Sequence, residues 1–392
     1  MMMEDTHGGA TTGRPALTQA RVLVTNAEYK HTLAVVRSLG KAGYHVIATD
    51  SKRKAQSFFS RYCRERVICP DPKNEEEFIR FLLRFLRERD VDVLLPMGNS
   101  TTVAISKHRD ELEEFARVPV ARYDAVRIAS DKGETMRLAT TLGIRVPKEY
   151  ASAEEVDRYP VVAKGTHGSG RVKYVNSPDG FRQIGFDQYI LQEYIPGRGY
   201  GFYALYNHGE LRAYFMHERV REYPITGGPS SCARSICDDE LKSEGTKLMG
   251  ALDWHGVAMV EFKRDSRDGR LTLMEVNPRF WGSLDLSIAA GIDFPRLIVE
   301  MALEGDIAPV FDYSTRVKFR WPFPDDMLHL FSNPGSCMEI VAEIFDRNAG
   351  SNVWWSDPLP NLVQAYMTPL PILSKLVHGT LRYPHGLPVV PR

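Results

Sequence analysis

The sequence predicts a chain of mixed α/β and α+β class, in which a parallel sheet covered by helices precedes an antiparallel sheet with few helices. Three stretches carry that prediction. Residues 20–50, "ARVLVTNAEYKHTLAVVRSLGKAGYHVIATD", read as strand, helix and strand, the unit that builds parallel sheets. Residues 188–220 alternate aromatic and polar side chains around Asn207, His208 and Gly209, a hairpin signal. Residues 256–277 supply two strands about a turn at Asp268 and Gly269.

Taken in order, residues 1–19 are Gly, Thr and polar without the apolar core of a signal peptide, and read as a disordered tail. The first helix puts Leu33, Val36 and Leu39 on one face and stops at Gly43, and the second strand ends at Asp50. A helix over 74–90 has acids in its first turn and arginines toward its end, and the apolar strand "VDVLLPM" follows. Gly98, Asn99 and Ser100 then sit beyond the carboxyl end of a strand, where open α/β sheets bind ligands. Residues 130–150 give a short helix closed by Gly143 and followed by Pro147, a connection into a new domain. Residues 159–175 read as strand, Gly-containing turn and strand. After about residue 310 the pattern weakens into a Pro- and Trp-rich tail, and no repeat is visible. The expected divisions are 1–19, 20–128, 129–310 and a C-terminal extension over 311–392.

At 392 residues the chain can bury two or three cores. Its 50 Lys+Arg balance 50 Asp+Glu, so no global charge points to nucleic acid or to an anionic membrane. The five cysteines form no C-x-x-C pair and no zinc spacing, which suits a reduced, cytoplasmic protein. No stretch approaches the ~20 apolar residues of a transmembrane segment. Asp50 stands where a nicotinamide enzyme places its ribose-binding acid, but the preceding turn "TNAEYKHT" lacks G-x-G-x-x-G, and that reading is set aside. Cys232 and Cys237 read as packing residues rather than nucleophiles, and Trp354 and Trp355 as buried packing of the tail.

The chemistry is concentrated in "LTLMEVNPRFWGSLDL" (271–286). A strand here puts Glu275 and Asn277 on one face, with Arg279 at its end. Glu261 lies 14 residues earlier, with the turn near the midpoint, so the two carboxylates are expected to face each other across an antiparallel pair. Opposed like charges destabilise a hairpin unless a cation lies between them. Glu261, Glu275 and Asn277 would offer three hard oxygens, a set that suits Mg²⁺. The plainer alternative is an exposed hairpin whose acids pair with Lys263 or Arg279. Lys164 ends the apolar run "PVVAK" just before a turn containing Gly168, Ser169 and Gly170, where an ammonium and backbone amides can meet a phosphate.

These pieces, in this order, resemble the ATP-grasp superfamily over roughly residues 20–310. The E-x-N-P-R of Glu275, Asn277, Pro278 and Arg279 carries most of the likeness, and "LQEYIPG" supports it; "NPRFWGSLDLSIAAGIDFP" looks like the carbamoyl-phosphate-synthase-like carboxylate-amine ligases. The resemblance implies an ATP-grasp fold with an N-terminal parallel α/β (pre-ATP-grasp) domain, a small lid subdomain over about 159–198 and a C-terminal antiparallel-sheet subdomain. It implies ATP and Mg²⁺, with Mn²⁺ as a substitute, held by Glu261, Glu275 and Asn277. Lys132 and Lys164 would contact phosphates, and Gln192, Glu193, Tyr194 and Ile195 would form the adenine hinge, partly through the Glu193 carboxylate. Arg279 would steady the transferred phosphoryl group. Gly228, Ser230 and Arg234 in "YPITGGPSSCARSI", together with Asn26, Asn99 and Ser100, are the substrate candidates. Gly199 and Gly201 depart from the family, in which many members carry an acid there. The implied activity joins a small carboxylate to an amine through an acyl phosphate, without a nucleic-acid partner and with a homodimer as one assembly. The alternatives are bicarbonate activation and a non-catalytic nucleotide-binding regulator.

Overall fold

The computed structural model describes residues 20–165, 172–183, 189–346 and 348–389. The expected tail at 1–19 and the turn residues Gly168, Ser169 and Gly170 lie outside the described residues.

The N-terminal part contains β1 (Arg21–Val24), α1 (Lys30–Lys41), β2 (His45–Asp50), β3 (Cys63–Ile68), α2 (Glu75–Glu88), β4 (Val93–Leu95) and α3 (Asn99–Lys107). The strands run parallel in the order β3-β2-β1-β4. Alternate residues of β1 serve opposite faces. Val22 and Val24 pack with Val35, Val36 and Leu39 of α1, whereas Leu23 packs with Phe78 and Leu82 of α2. The edge strand β3 went unpredicted, because Arg64, Glu65 and Arg66 interrupt its apolar pattern. With β2 on one side of β1 and β4 on the other, the chain turns opposite ways from the middle of the sheet. A crevice opens there, beyond the carboxyl ends of β1 and β4.

Three helices, α4 (Arg109–Glu113), α5 (Tyr123–Ser130) and α6 (Lys132–Thr141), lead to a small antiparallel sheet of β5 (Glu149–Tyr150), β6 (Val161–Gly165), β7 (Val172–Val175) and β8 (Tyr189–Glu193), ordered β5-β8-β6-β7. Val161 and Ala163 enter its core with Tyr150, Val175, Phe181 and Leu191, so by alternation Lys164 faces the other way.

The third unit contains β9 (Gly197–Asn207), β10 (Glu210–Glu222), β11 (Ser230–Ser235), α7 (Asp239–Ala251), β12 (Gly256–Asp265), β13 (Leu271–Asn277), α8 (Leu284–Ala290) and α9 (Phe294–Glu304). The expected hairpin turns at His208 and Gly209, both at positive φ (45° and 80°), the conformation that a two-residue turn requires. The large sheet is covered on both faces. Tyr203, Leu205 and Phe215 pack toward α8, α9 and the N-terminal part, and Phe202, Ala204 and Met216 toward α5 and α7.

The chain after 310 is more regular than its pattern suggests. It forms β14 (Lys318–Arg320), α10 (Met327–Ser332), α11 (Cys337–Phe345), β15 (Ala349–Ser351), α12 (Leu359–Met367) and α13 (Pro369–Val377). β14 and β15 extend the large sheet, whose order is β13-β12-β9-β10-β11-β14-β15. Arg37 of α1, buried, holds this segment from the other side through Asp357 (2.9 Å), the Asn352 carbonyl (2.8 Å) and the Asn361 amide oxygen (2.9 Å). Arg221 of β10 does the same through Asp326 and Glu343. Trp354 is half-buried with Arg37 over its ring, but Trp355 is 90% exposed, which corrects its expected burial. Among the described residues no helix is long and apolar enough to cross a membrane.

Removing Asp357 strands a buried guanidinium, so Asp357→Ala is expected to lower unfolding stability by about 3 kcal/mol. Guanidinium titration measures this, and a loss within about 0.5 kcal/mol, the scale of ordinary surface substitutions, would show that the pair does not hold the segment.

Candidate active site

The register of β12 against β13 sets Glu261 directly opposite Glu275, and Met259 opposite Asn277. Two acids at one rung repel, and the structure supplies several cations around them. The nearest is Arg219 of β10, which donates to Glu261 and sits 3.5 Å from Glu222. To reach Glu261 it crosses β9, where Gly201 lies opposite Glu261. A Cβ on Gly199 would come within 2.9 Å of Arg219 Cδ, and one on Gly201 within 2.2 Å of the Tyr203 hydroxyl. The two glycines noted as departures therefore leave room for the arginine and the tyrosine. Arg219 was missed in the sequence because its role depends on a strand two places away; the G-x-G spacing was its only local signal.

Glu275, Asn277 and Arg279 form a chain. Asn277 Nδ2 donates to Glu275 Oε1 at 2.9 Å, and Arg279 Nη2 donates to Asn277 Oδ1 at 3.0 Å, while Nη1 donates to the Phe280 carbonyl at 2.8 Å. Burial raises the pKa of Glu261 and Glu275 adds to the rise, against the opposing pull of Arg219. Burial also lowers Arg279, with both carboxylates opposing. Lys164 is pushed down to about 8, chiefly by burial and then by Lys132 and Lys263, while Glu275 opposes. Lys263, two residues beyond Glu261 on β12, donates to the Ile195 carbonyl at 3.1 Å and lies over the Tyr194 ring.

A cleft of about 370 Å³ joins Glu275, Asn277 and Arg279 to the N-terminal crevice. Its walls include Glu275, Asn277, Arg279 and Lys132 on one side and Asn26, Asn99 and Ser100 on the other. Asn26, at φ 50°, accepts hydrogen bonds from Thr25 and Thr101 at 2.9 and 2.8 Å and so clips the loop after β1 to the first turn of α3. Asp50 also lines the cleft, but its oxygens accept from the amides of Glu28 (2.9 Å) and Lys52 (2.8 Å).

Other expected site residues are placed differently. Gln192 is buried with its side-chain oxygen unpartnered, and Glu193 is ion-paired with Arg267 at 2.7 Å. The Glu193 carboxylate is thus engaged by a guanidinium. Gly228 donates to Glu222 at 3.4 Å, and the Ser230 carbonyl accepts from Lys30 at 3.3 Å. Arg234 neighbours Ala233, which packs with Tyr203 and Phe215, so alternation sends it to the opposite face of the sheet, where it pairs with Glu218. It does not face the carboxylates, and its expected substrate contact is corrected accordingly. Cys232 is buried, with its thiol pushed up to about 12, whereas Cys237 is exposed rather than packed.

Three covered sheets, with a carboxylate pair on the large one and a lysine-bearing small one facing it, make up an ATP-grasp fold, and comparison with solved structures agrees. Residues 185–321 match a family described as ATP-grasp in the biosynthetic pathway with Ter operon. Over 174 residues the chain is 29% identical to a 5-formaminoimidazole-4-carboxamide-1-(beta)-D-ribofuranosyl 5'-monophosphate synthetase of Pyrobaculum neutrophilum, covering 43% of this chain and 48% of that protein. The chain thus spans about half the length of the curated relative it matches. Among solved structures it resembles a biotin carboxylase from Campylobacter jejuni in a β-γ-ATP complex (TM-score 0.61, 15% identity, 76% of this chain and 74% of that one). It also resembles an N5-carboxyaminoimidazole synthetase from Staphylococcus aureus (0.60, 16%, 76% and 80%) and an L-amino acid ligase from Bacillus licheniformis (0.58, 17%, 74% and 78%).

Arg219→Ala leaves two facing carboxylates with less compensation. Thermal melting is expected to show a less stable protein without metal, by about 3 kcal/mol, and a larger stabilisation by added Mg²⁺ than in the unaltered chain. Equal Mg²⁺ effects in the two proteins would separate Glu261 from any metal site.

Proposed function

We propose that the protein is an ATP- and Mg²⁺-dependent ligase that joins a carboxylate to an amine through an acyl phosphate. The observation that carries this reading is the pairing of Glu261 with Glu275, which with Asn277 and Arg279 lines a cleft shared with the N-terminal crevice. Among the described residues no three His, Cys, Asp or Glu side chains converge as a metal cage. Two carboxylates and one amide oxygen instead fit Mg²⁺, which normally completes its shell with waters and phosphate oxygens.

A carboxylate does not acylate an amine unaided, because its oxygen is a poor leaving group. In the proposed reaction a substrate carboxylate oxygen attacks the γ-phosphorus of ATP and the bond to the β-phosphate oxygen breaks, giving ADP and an acyl phosphate. The amine nitrogen then attacks the acyl carbon, phosphate leaves and the nitrogen loses a proton. Glu261, Glu275 and Asn277 would hold Mg²⁺, which supplies charge neutralisation on the phosphate oxygens. Lys164 and Lys132 would bind the phosphates, and Gln192, Tyr194 and Ile195 would border the base. Lid residues 159–198 would close over the nucleotide. Arg279 lines the cleft together with Glu275, Asn26, Asn99 and Ser100, and its planar donors suit both the phosphoryl group and the carboxylate attacking it. The far end of the cleft carries both signs, with Glu28 and Asp71 beside Lys52 and Lys73, and this supports substrates of amino-acid type. Small-molecule substrates and a cytoplasmic location accompany this reading.

Glu275→Ala is expected to cut ADP formation by at least ~10²-fold without unfolding the chain. The Glu261→Ala, Glu275→Ala double variant should lose far less than the product of the single losses, since both side chains would serve one ion. Turnover at the unaltered rate in the Glu275 variant would remove the metal assignment.

Hydroxylamine offered in place of the amine, with a competent carboxylate, is expected to yield a hydroxamate and ADP, and Arg279→Lys should bind ATP yet form hydroxamate slowly. AMP as product would replace the acyl phosphate with an adenylate. ADP release with bicarbonate alone would instead favour bicarbonate activation.

A further inference from the structure

Residues 381–389 run from the large sheet to the small one. Their first anchor is the body of the protein. The Leu381 carbonyl accepts from the hydroxyls of Tyr223, just beyond β10, and of Ser332 in α10, both at 3.0 Å, and the Leu381 side chain is buried with Leu328 and Ile372. The second anchor is β7, an outer strand of the small sheet. Tyr174 donates its amide to the His385 carbonyl at 3.2 Å. Beside it the Asn176 side chain imitates a peptide group: Nδ2 donates to the Leu387 carbonyl at 2.9 Å, and Oδ1 accepts from the Val389 amide at 2.8 Å. The segment thus covers the outer edge of β7.

The two anchors make this segment a tether. From Leu381 to His385 the chain advances four residues, which reach at most about 14 Å when extended, so β7 cannot travel far while both anchors hold. Among the described residues the apolar core of the small sheet, built on Val161, Ala163 and Leu191, is a cluster separate from those of the large sheet. The small sheet joins the large one at β8, through the chain itself and the pairing of Glu193 with Arg267. Its β7 side is held instead by the segment 385–389 and by the Tyr174 hydroxyl, which donates to the Thr226 carbonyl at 2.6 Å in the loop after β10. Hydrogen bonds at an exposed edge are worth little net against water, so this side can part without unfolding either sheet. Tyr174 also meets the Tyr194 ring edge-on at 5.8 Å, the residue proposed above to border the base. We propose that residues 381–389 are a strap that keeps the β7 side of the small sheet against the large one, and that its release controls how fast nucleotide leaves the cleft. The second half rests on the reading of residues 159–198 as a nucleotide lid; the first does not.

The test uses the full chain and two substitutions at exposed positions, one on each side of the contact. Asn176→Ala removes both side-chain bonds to the strap, and Val389→Pro removes the amide that Asn176 accepts. Without nucleotide, hydrogen exchange at the Tyr174 amide is expected to quicken about 10-fold in Asn176→Ala, the weight of two such bonds, while the thermal transition is unchanged. Release of ADP carrying a fluorescent methylanthraniloyl group, followed by stopped flow, should quicken by a similar factor, and the double variant should be no faster than Asn176→Ala alone. Unchanged Tyr174 exchange in both variants would overturn the strap. Faster exchange with unaltered ADP release would overturn its control of the nucleotide. An unaltered chain that binds no labelled ADP would instead overturn the nucleotide reading itself, and Tyr174 exchange would still decide whether the strap holds β7.

Discussion

Two carboxylates held on one rung of an antiparallel pair are the constraint around which this molecule is arranged. Glu261 and Glu275 repel, and backbone hydrogen bonding keeps them from moving apart. Every neighbouring strand answers that repulsion. β10 sends Arg219 across, β9 makes way with two glycines, and β12 itself carries Lys263. β13 ends in Arg279, and Lys164 faces the pair from the small sheet. A concentrated negative site inside a positive ring suits a metal ion and a polyphosphate together, because each would supply what the other part lacks.

Much of this was legible in the sequence because it is local. A period of two placed Glu275 and Asn277 on one face, a turn signal at Asp268 and Gly269 fixed the partner of Glu275, and the hairpin at Asn207 to Gly209 formed as read. Arg219 was not legible, since no spacing within β10 says which strand it reaches across. Arg234 was misplaced for a related reason. Its neighbours did not reveal which face of β11 looks toward the acids, and one residue of shift exchanges the faces. The pairing of Glu193 with Arg267, 74 residues later, was not legible either, since no local spacing announces it.

The C-terminal segment was illegible for a different reason. Apolar periodicity identifies helices that bury apolar faces, and α12 buries Asn361 and Gln364 instead. Its attachments are polar and distant, made by Arg37 from one side and Arg221 from the other. A method that reads hydrophobic pattern sees such a segment as a tail, although it extends the central sheet.

The link between Arg37 and Asp357 also sets a clock. The two residues are separated by 320 positions, so on a ribosome adding ~5–20 residues per second the acid follows the arginine by roughly 16–64 s. Throughout that interval α1 presents a guanidinium with no partner to a helix face that will later be covered. The N-terminal sheet can assemble early from its own parallel strands, but its surface matures only when Asp357 has emerged. A nascent protein of this design depends on a segment translated 320 residues later to finish the surface of α1.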